Sequence, residues 1–166
     1  MSPILPPHAL EIISRSTEQT RRIGMRLGAL LQVGDLVCLV GDLGTGKTTL
    51  VGGLAAGWGS LDQVSSPTFV LVNIYRRSDT VRLNHLDAYR LSGPAEAMEL
   101  DLDEMLVHGP MVIEWADRID GALQEDRFLV TMKMVDETQR HFLFSAHGAR
   151  YKTLLGDFRN QVFGVS

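Results

Sequence analysis

Lysine is scarce in this chain. Lys47, Lys133 and Lys152 are the only three among 166 residues, and sixteen basic side chains against twenty acidic ones leave a net charge of -4. No global basic field exists to hold nucleic acid directly. Cysteine is nearly absent too: the single Cys38 excludes an internal disulfide, and its apolar surroundings mark it as a small buried hydrophobe. No apolar run approaches the ~20 residues of a membrane span. The N-terminus lacks the charged start and long apolar stretch of a secretory signal. Internal repeats and low-complexity tracts are missing as well. The expectation is a cytoplasmic protein with no membrane attachment. Its 45% hydrophobic and 22% charged residues are those of an ordinary globular chain. At this length folding buries roughly 70% of the unfolded surface, enough for one domain with a real core.

What is present is a phosphate-binding loop. Gly41-Asp42-Leu43-Gly44-Thr45-Gly46-Lys47-Thr48 fits G-x-x-x-x-G-K-[ST] in full. The apolar run Leu36-Val37-Cys38-Leu39-Val40 precedes it and reads as a buried parallel strand. A helical pattern follows from Lys47, with Leu50, Val51, Leu54 and Ala55 on one side and Gly57 as its stop. A glycine-rich strand–helix turn that binds nothing is the bland alternative, and these flanks disfavour it. Glycines let backbone N–H groups approach phosphate oxygens, and the helix N-terminus adds partial positive charge. Lys47 would reach the outer phosphates and is expected to be solvent-reachable. Thr48 would offer its hydroxyl to magnesium. Asp42 is a turn former or a magnesium-side acid, the turn being preferred. The nucleotide contacts expected are Asp42, Leu43, Gly44, Thr45, Gly46, Lys47, Thr48 and Thr49.

Pro3, Pro6 and Pro7 place residues 1–12 in a loose arm, followed by a single domain over residues 13–166. Ser16 and Gln19 fit a capping box, with Ile23, Leu27, Leu30 and Leu31 behind them at helical spacing and Gly34 as the stop. Val64 to Thr68 has loop chemistry. Phe69–Tyr75 and Val81–Leu86 read as an antiparallel hairpin. Pro94 opens an acidic helix to about Leu106, and Met111-Val112-Ile113 is a short strand. Asp117–Gln124 reads as a short helix. Arg127–Val135 and His141–Ala146 read as a second hairpin, and Ala149–Phe158 as a final helix. Alternating strands and helices indicate an α/β, P-loop NTPase-like three-layer fold, its sheet mixed but mainly parallel.

A nucleotide hydrolase needs an acid near magnesium and a group that orients water. Asp87 and Glu114 each follow an apolar run and are the candidates for catalysis and for metal binding. The plain alternative for either is helix capping or pairing with Arg90 or Arg118. His85 alone reads more simply as a core histidine, and Trp115 as packing. The guanine-reading pattern N-K-x-D is absent, which favours adenine. Between Arg90 and Arg118 there is no lysine or arginine, and the segment carries Glu96, Glu99, Asp101, Asp103 and Glu104. The basic lid of small-molecule kinases is therefore missing there.

Gly41–Thr49, Ser66-Pro67-Thr68-Phe69, His85-Leu86-Asp87-Ala88-Tyr89-Arg90 and Glu114-Trp115 occur in that order. This ordered set resembles the TsaE family, the bacterial P-loop ATPases of tRNA threonylcarbamoyladenosine biosynthesis, over about residues 13 to 150. The resemblance implies a magnesium-dependent ATPase that assists the threonylcarbamoyl transferase subunit and its non-catalytic partner in modifying adenosine 37 of tRNA. It implies that Lys47 and Thr48 hold phosphates and magnesium. It also implies that Asp87 and Glu114 are the functional acids, with His85, Tyr89, Arg90 and Trp115 near the site. Ser66, Pro67 and Thr68 would form a switch-like segment. Contact with tRNA would be indirect, through the complex. A P-loop phosphotransferase and a nucleotide-controlled assembly factor with negligible turnover are the competing functions.

Overall fold

The computed structural model describes residues 8–42, 45–64 and 72–164. Among them the strands are β1 (Ala9–Ser14), β2 (Leu36–Gly41), β3 (Val72–Arg76), β4 (Arg82–Asp87), β5 (Met111–Glu114), β6 (Arg127–Met134) and β7 (Arg140–His147). They form one sheet in the order β1-β7-β6-β2-β5-β4-β3. The helices are α1 (Thr17–Gly28), α2 (Lys47–Trp58), α3 (Pro94–Met98), α4 (Leu102–His108) and α5 (Ala149–Phe163), with a 3-10 segment at Ala116–Ala122.

The apolar run before the phosphate loop is β2, and it lies in the middle of the sheet. It pairs in parallel with β5 and β6, and β5 pairs in parallel with β4. The antiparallel pairs β3–β4, β6–β7 and β1–β7 complete the two flanks. Both faces of β2 are covered, which explains its unbroken apolar sequence. Val37 and Leu39 join a core with α1, α2 and α5, where Leu27, Leu50, Leu54 and Phe158 are fully buried. Leu36 and Cys38 face a second core under α3, α4 and the 3-10 segment, with Leu86, Ile113 and Ile119. These are the three layers of a P-loop fold. No helix among the described residues is long and apolar enough to cross a membrane.

Helices α1 and α2 touch backbone to backbone. A Cβ on Gly24 or Gly28 would lie 2.3 Å from the Leu50 carbonyl oxygen or 1.9 Å from that of Leu54. A Cβ on Gly53 or Gly57 would lie 2.1 Å from the Arg21 oxygen or 1.9 Å from that of Met25. Two glycines four apart on each helix thus interlock. Gly57 is a packing residue rather than the expected stop: α2 runs on to Trp58, and Gly59 caps it at φ 105°.

Other elements also differ from expectation. Residues 9–12, expected in a loose arm, belong to β1, which pairs with β7 from Ala9–Ser145 to Ser14–Arg140. Ala9 and Leu10 are buried there, so core contact overrides the proline signal upstream. Helix α1 ends at Gly28, while Gly34 makes a later turn at φ 89°. Ser16 caps α1 by accepting from the Gln19 amide, whereas the Gln19 side chain accepts from Arg15 N–H instead of Ser16. The acidic helix expected over 94–106 breaks into α3 and α4 at Asp101, whose φ is 58°. The break lets Ala97 and Leu102 both reach the second core.

Candidate functional site

The phosphate loop is built by two glycines with different duties. Gly41 ends β2 where a Cβ would sit 2.5 Å from the Met132 carbonyl oxygen of β6, so close strand packing excludes a side chain. Gly46 stands before α2 at φ 92°, a conformation that glycine adopts without penalty. Thr45 is buried, and its hydroxyl donates to the Asp42 carbonyl at 2.8 Å, bracing the turn. Leu43 and Gly44 lie outside the described residues. The α2 N-terminus has no side-chain cap and no acid in its first turn. The N–H groups of its first turn and its dipole are therefore placed for an anion. Thr48 is exposed there and Thr49 partly buried.

Lys47 was expected to be solvent-reachable, but it is only 6% exposed. Its ammonium folds back to donate to the carbonyl oxygens of Gly41 at 2.5 Å and Asp42 at 2.8 Å. It also lies 4.2 Å from the Trp115 ring centroid. These two carbonyl oxygens draw the stem inward. Burial pulls the Lys47 pKa below the ordinary lysine value, opposed by Glu114, Asp42, Asp87 and Asp117. Asp42 itself is exposed and holds the loop through its carbonyl rather than its carboxylate.

Asp87 and Glu114 stand opposite each other in register at the ends of β4 and β5, and Leu39 of β2 faces Glu114 on the other side. Parallel pairing puts all three strand ends beside the phosphate loop. Neither acid is bound to Arg90 or Arg118. Asp87 accepts from the Tyr89 N–H at 2.9 Å. Burial raises its pKa above the ordinary aspartate value; the charge of Glu114 adds to this, while the Tyr89 N–H, His85 and Lys47 oppose it. Glu114 is 3% exposed, and its Oε2 lies 2.6 Å from His85 Nε2. His85 is fully buried, with the Tyr75 hydroxyl 2.8 Å from its Nδ1. The hydroxyl of Thr48 and the two carboxylates are hard oxygen donors that fit magnesium, which binds through one or two carboxylates plus substrate phosphates. Among the described residues, no group of three or more His, Cys, Asp or Glu forms a metal cage.

Trp115 follows Glu114 with φ 57° and packs against Tyr89, the ring centroids 5.0 Å apart. The Arg118 guanidinium covers the Tyr89 ring at 4.9 Å. Arg90 is exposed. The switch-like Ser66, Pro67 and Thr68, with Phe69, lie outside the described residues.

Several site residues were not legible from the motifs. A cleft of about 360 Å³ opens between the start of α1, the first turn of α2 and the β6–β7 turn. Arg15, Ser16, Thr17, Thr20, Gly46, Thr49, Glu137, Thr138 and Arg140 line it. Only Gly46 and Thr49 carried a signal, through the loop pattern. The others come from segments more than twenty residues away in either direction. Tyr75 and Asp117 were missed as well, one in a strand and one in the 3-10 segment.

Comparison with known proteins gives concordant results. The family model for "Threonylcarbamoyl adenosine biosynthesis protein TsaE" matches residues 14–142. A protein of Streptomyces coelicolor named tRNA threonylcarbamoyladenosine biosynthesis protein TsaE is 43% identical over 139 residues, which is 80% of this chain and 94% of that one. The Bacillus subtilis protein of the same name is 37% identical, over 82% of this chain and 85% of its own. The crystal structure of YdiB from Bacillus subtilis superposes with a TM-score of 0.78 at 30% identity, covering 93% of this chain and 96% of the other.

Proposed function

The chain belongs to the TsaE family, and on that premise we propose that it binds and hydrolyses ATP with magnesium as an accessory to threonylcarbamoyladenosine formation at adenosine 37 of tRNA. It acts with the threonylcarbamoyl transferase subunit and its non-catalytic partner, and meets tRNA through them. The observation that carries this reading is the convergence of Lys47, Asp87 and Glu114 on one end of three parallel strands beside an uncapped helix.

In this reading the first turn of α2 holds the phosphates by its N–H groups, and Lys47 moves from the strand-end carbonyls to the outer phosphates. The cleft between α1 and the β6–β7 turn receives the nucleoside end; its size lies within the ordinary range of small-molecule pockets. Thr48 and one of the two acids, Asp87 or Glu114, would hold magnesium, which would neutralise charge on the phosphate oxygens. Of the two acids, the one not bound to the metal orients the attacking water. Arg90 and Arg118 are the arginines nearest the two acid motifs in sequence. Arg118 is occupied by the Tyr89 ring, which favours slow turnover by the protein alone, since an engaged arginine finger is worth ~10³–10⁵ in rate.

The test is steady-state ATP hydrolysis by the protein alone, with tRNA alone, and with the transferase pair. Slow hydrolysis, raised by the pair and not by tRNA, is expected. Fast hydrolysis indifferent to the pair overturns partner control, and no hydrolysis in any mixture overturns the ATPase reading.

A further inference from the structure

His85 lies at the centre of a buried hydrogen-bonded chain that the phosphate-loop chemistry does not explain. Tyr75 of β3, His85 of β4 and Glu114 of β5 are 3%, 0% and 3% exposed. They span three adjacent strands, with 2.8 Å between the Tyr75 hydroxyl and Nδ1 and 2.6 Å between Nε2 and Glu114 Oε2. A buried imidazole with polar atoms at both ends has its tautomer set by its partners. An anionic Glu114 accepts only, so Nε2 must carry the proton. In the neutral imidazole Nδ1 is then the acceptor, and the Tyr75 hydroxyl donates to it. Reversing the imidazole tautomer leaves two acceptors, Nε2 and Glu114 Oε2, facing each other in a dry core.

We propose that His85, its tautomer fixed by Tyr75, is a positioning residue that holds the Glu114 carboxylate by Oε2 and so presents Oε1 to the reacting end of the site. This rests on the ATPase reading above. Without the Nε2–H bond, Glu114 can rotate about its last torsion, a soft two-fold one, and both oxygens sample positions unsuited to metal or water. The bland alternative is a core histidine that merely fills space. The two differ in what each substitution leaves behind. Glutamine places an N–H donor near the position of Nε2, whereas leucine of similar bulk supplies none.

The experiment compares the whole protein with H85Q, H85L and Y75F by circular dichroism, kcat and KM for ATP, and long-range ¹H–¹⁵N spectra of the imidazole in the wild type and Y75F. The wild-type spectrum is expected to show protonated Nε2 and unprotonated Nδ1, and Y75F to shift the Nδ1 resonance. H85L should lower kcat by ~10- to 100-fold with KM little changed, as loss of a ligand's outer partner does. H85Q should recover most of that loss, and Y75F should lower kcat by ~3- to 10-fold. Equal impairment in H85Q and H85L, or wild-type kcat in a folded H85L, overturns the proposal. So does an imidazole protonated at Nδ1, alone or together with Nε2. If H85L does not fold, H85Q, Y75F and the spectra decide. A wild type that never hydrolyses ATP refutes the ATPase reading; the spectra then still decide whether His85 holds Glu114.

Discussion

Lys47 and Asp87 are both charged groups held where charge is disfavoured. For Lys47 the folded pKa lies below its ordinary value of 10.5, with burial as the first cause. The fold therefore binds that proton less well than the unfolded chain does. The penalty is present at neutral pH and disappears as pH rises past 10.5. Lys47→Met keeps the stem and drops the ammonium. It should raise the melting midpoint of the nucleotide-free protein at pH 7, by an amount that shrinks above pH 10, while hydrolysis falls by roughly 10²-fold or more. Asp87 has the opposite sign of charge and a raised pKa, so its penalty is present at neutral pH and vanishes below its ordinary 3.8. Asp87→Asn should likewise melt higher at pH 7, with the gain fading toward pH 3, and should lose turnover more than nucleotide binding. An unchanged midpoint in both variants contradicts this assignment of the cost to burial. The motif told where Lys47 is, and the strand pattern told where Asp87 is. Neither could tell that the lysine turns back onto Gly41 and Asp42, because that depends on carbonyls of its own loop and on Trp115, a partner far along the chain.

At the scale of elements, the helix pair α1–α2 gives the sharpest contrast. Gly28→Ala sets a methyl 1.9 Å from the Leu54 carbonyl oxygen, a backbone atom that cannot step aside. It should destabilise by about 1–3 kcal/mol or more in denaturant unfolding. Gly52, also in α2, has nothing within 4 Å of its would-be Cβ. Gly52→Ala should stabilise by ~0.5–1 kcal/mol through helix propensity alone. If both change stability in the same direction, the close approach is wrong. The run of β2 and the start of α2 were legible because periodicity and motif coincide there. The role of Gly57 was not, since a packing glycine and a stopping glycine look alike until the partner helix is known. The break at Asp101 was hidden for a related reason: no glycine or proline between Pro94 and Gly109 marks the point where the backbone turns to place Ala97 and Leu102 on one core.

Taken as a whole molecule, the sheet runs from β1 at one edge to β3 at the other. The order of strands was not legible, because β1 and β7 pair across most of the chain and no local signal records it. Leu10 in β1 is 7% exposed in the larger core. Leu10→Ala should therefore cost about 2–4 kcal/mol, whereas a residue of a loose arm would cost almost nothing. Chemical denaturation distinguishes the two. The interlocked glycines have a further consequence. The first turn of α1 contributes Ser16, Thr17 and Thr20 to the cleft, and the first turn of α2 is the phosphate end of the loop. Helices in backbone contact have no compressible layer between them, so the two act as a splint. A ligand lying from cleft to loop meets a gauge already cut to one length, and one phosphate too few cannot draw the ends together to close the gap.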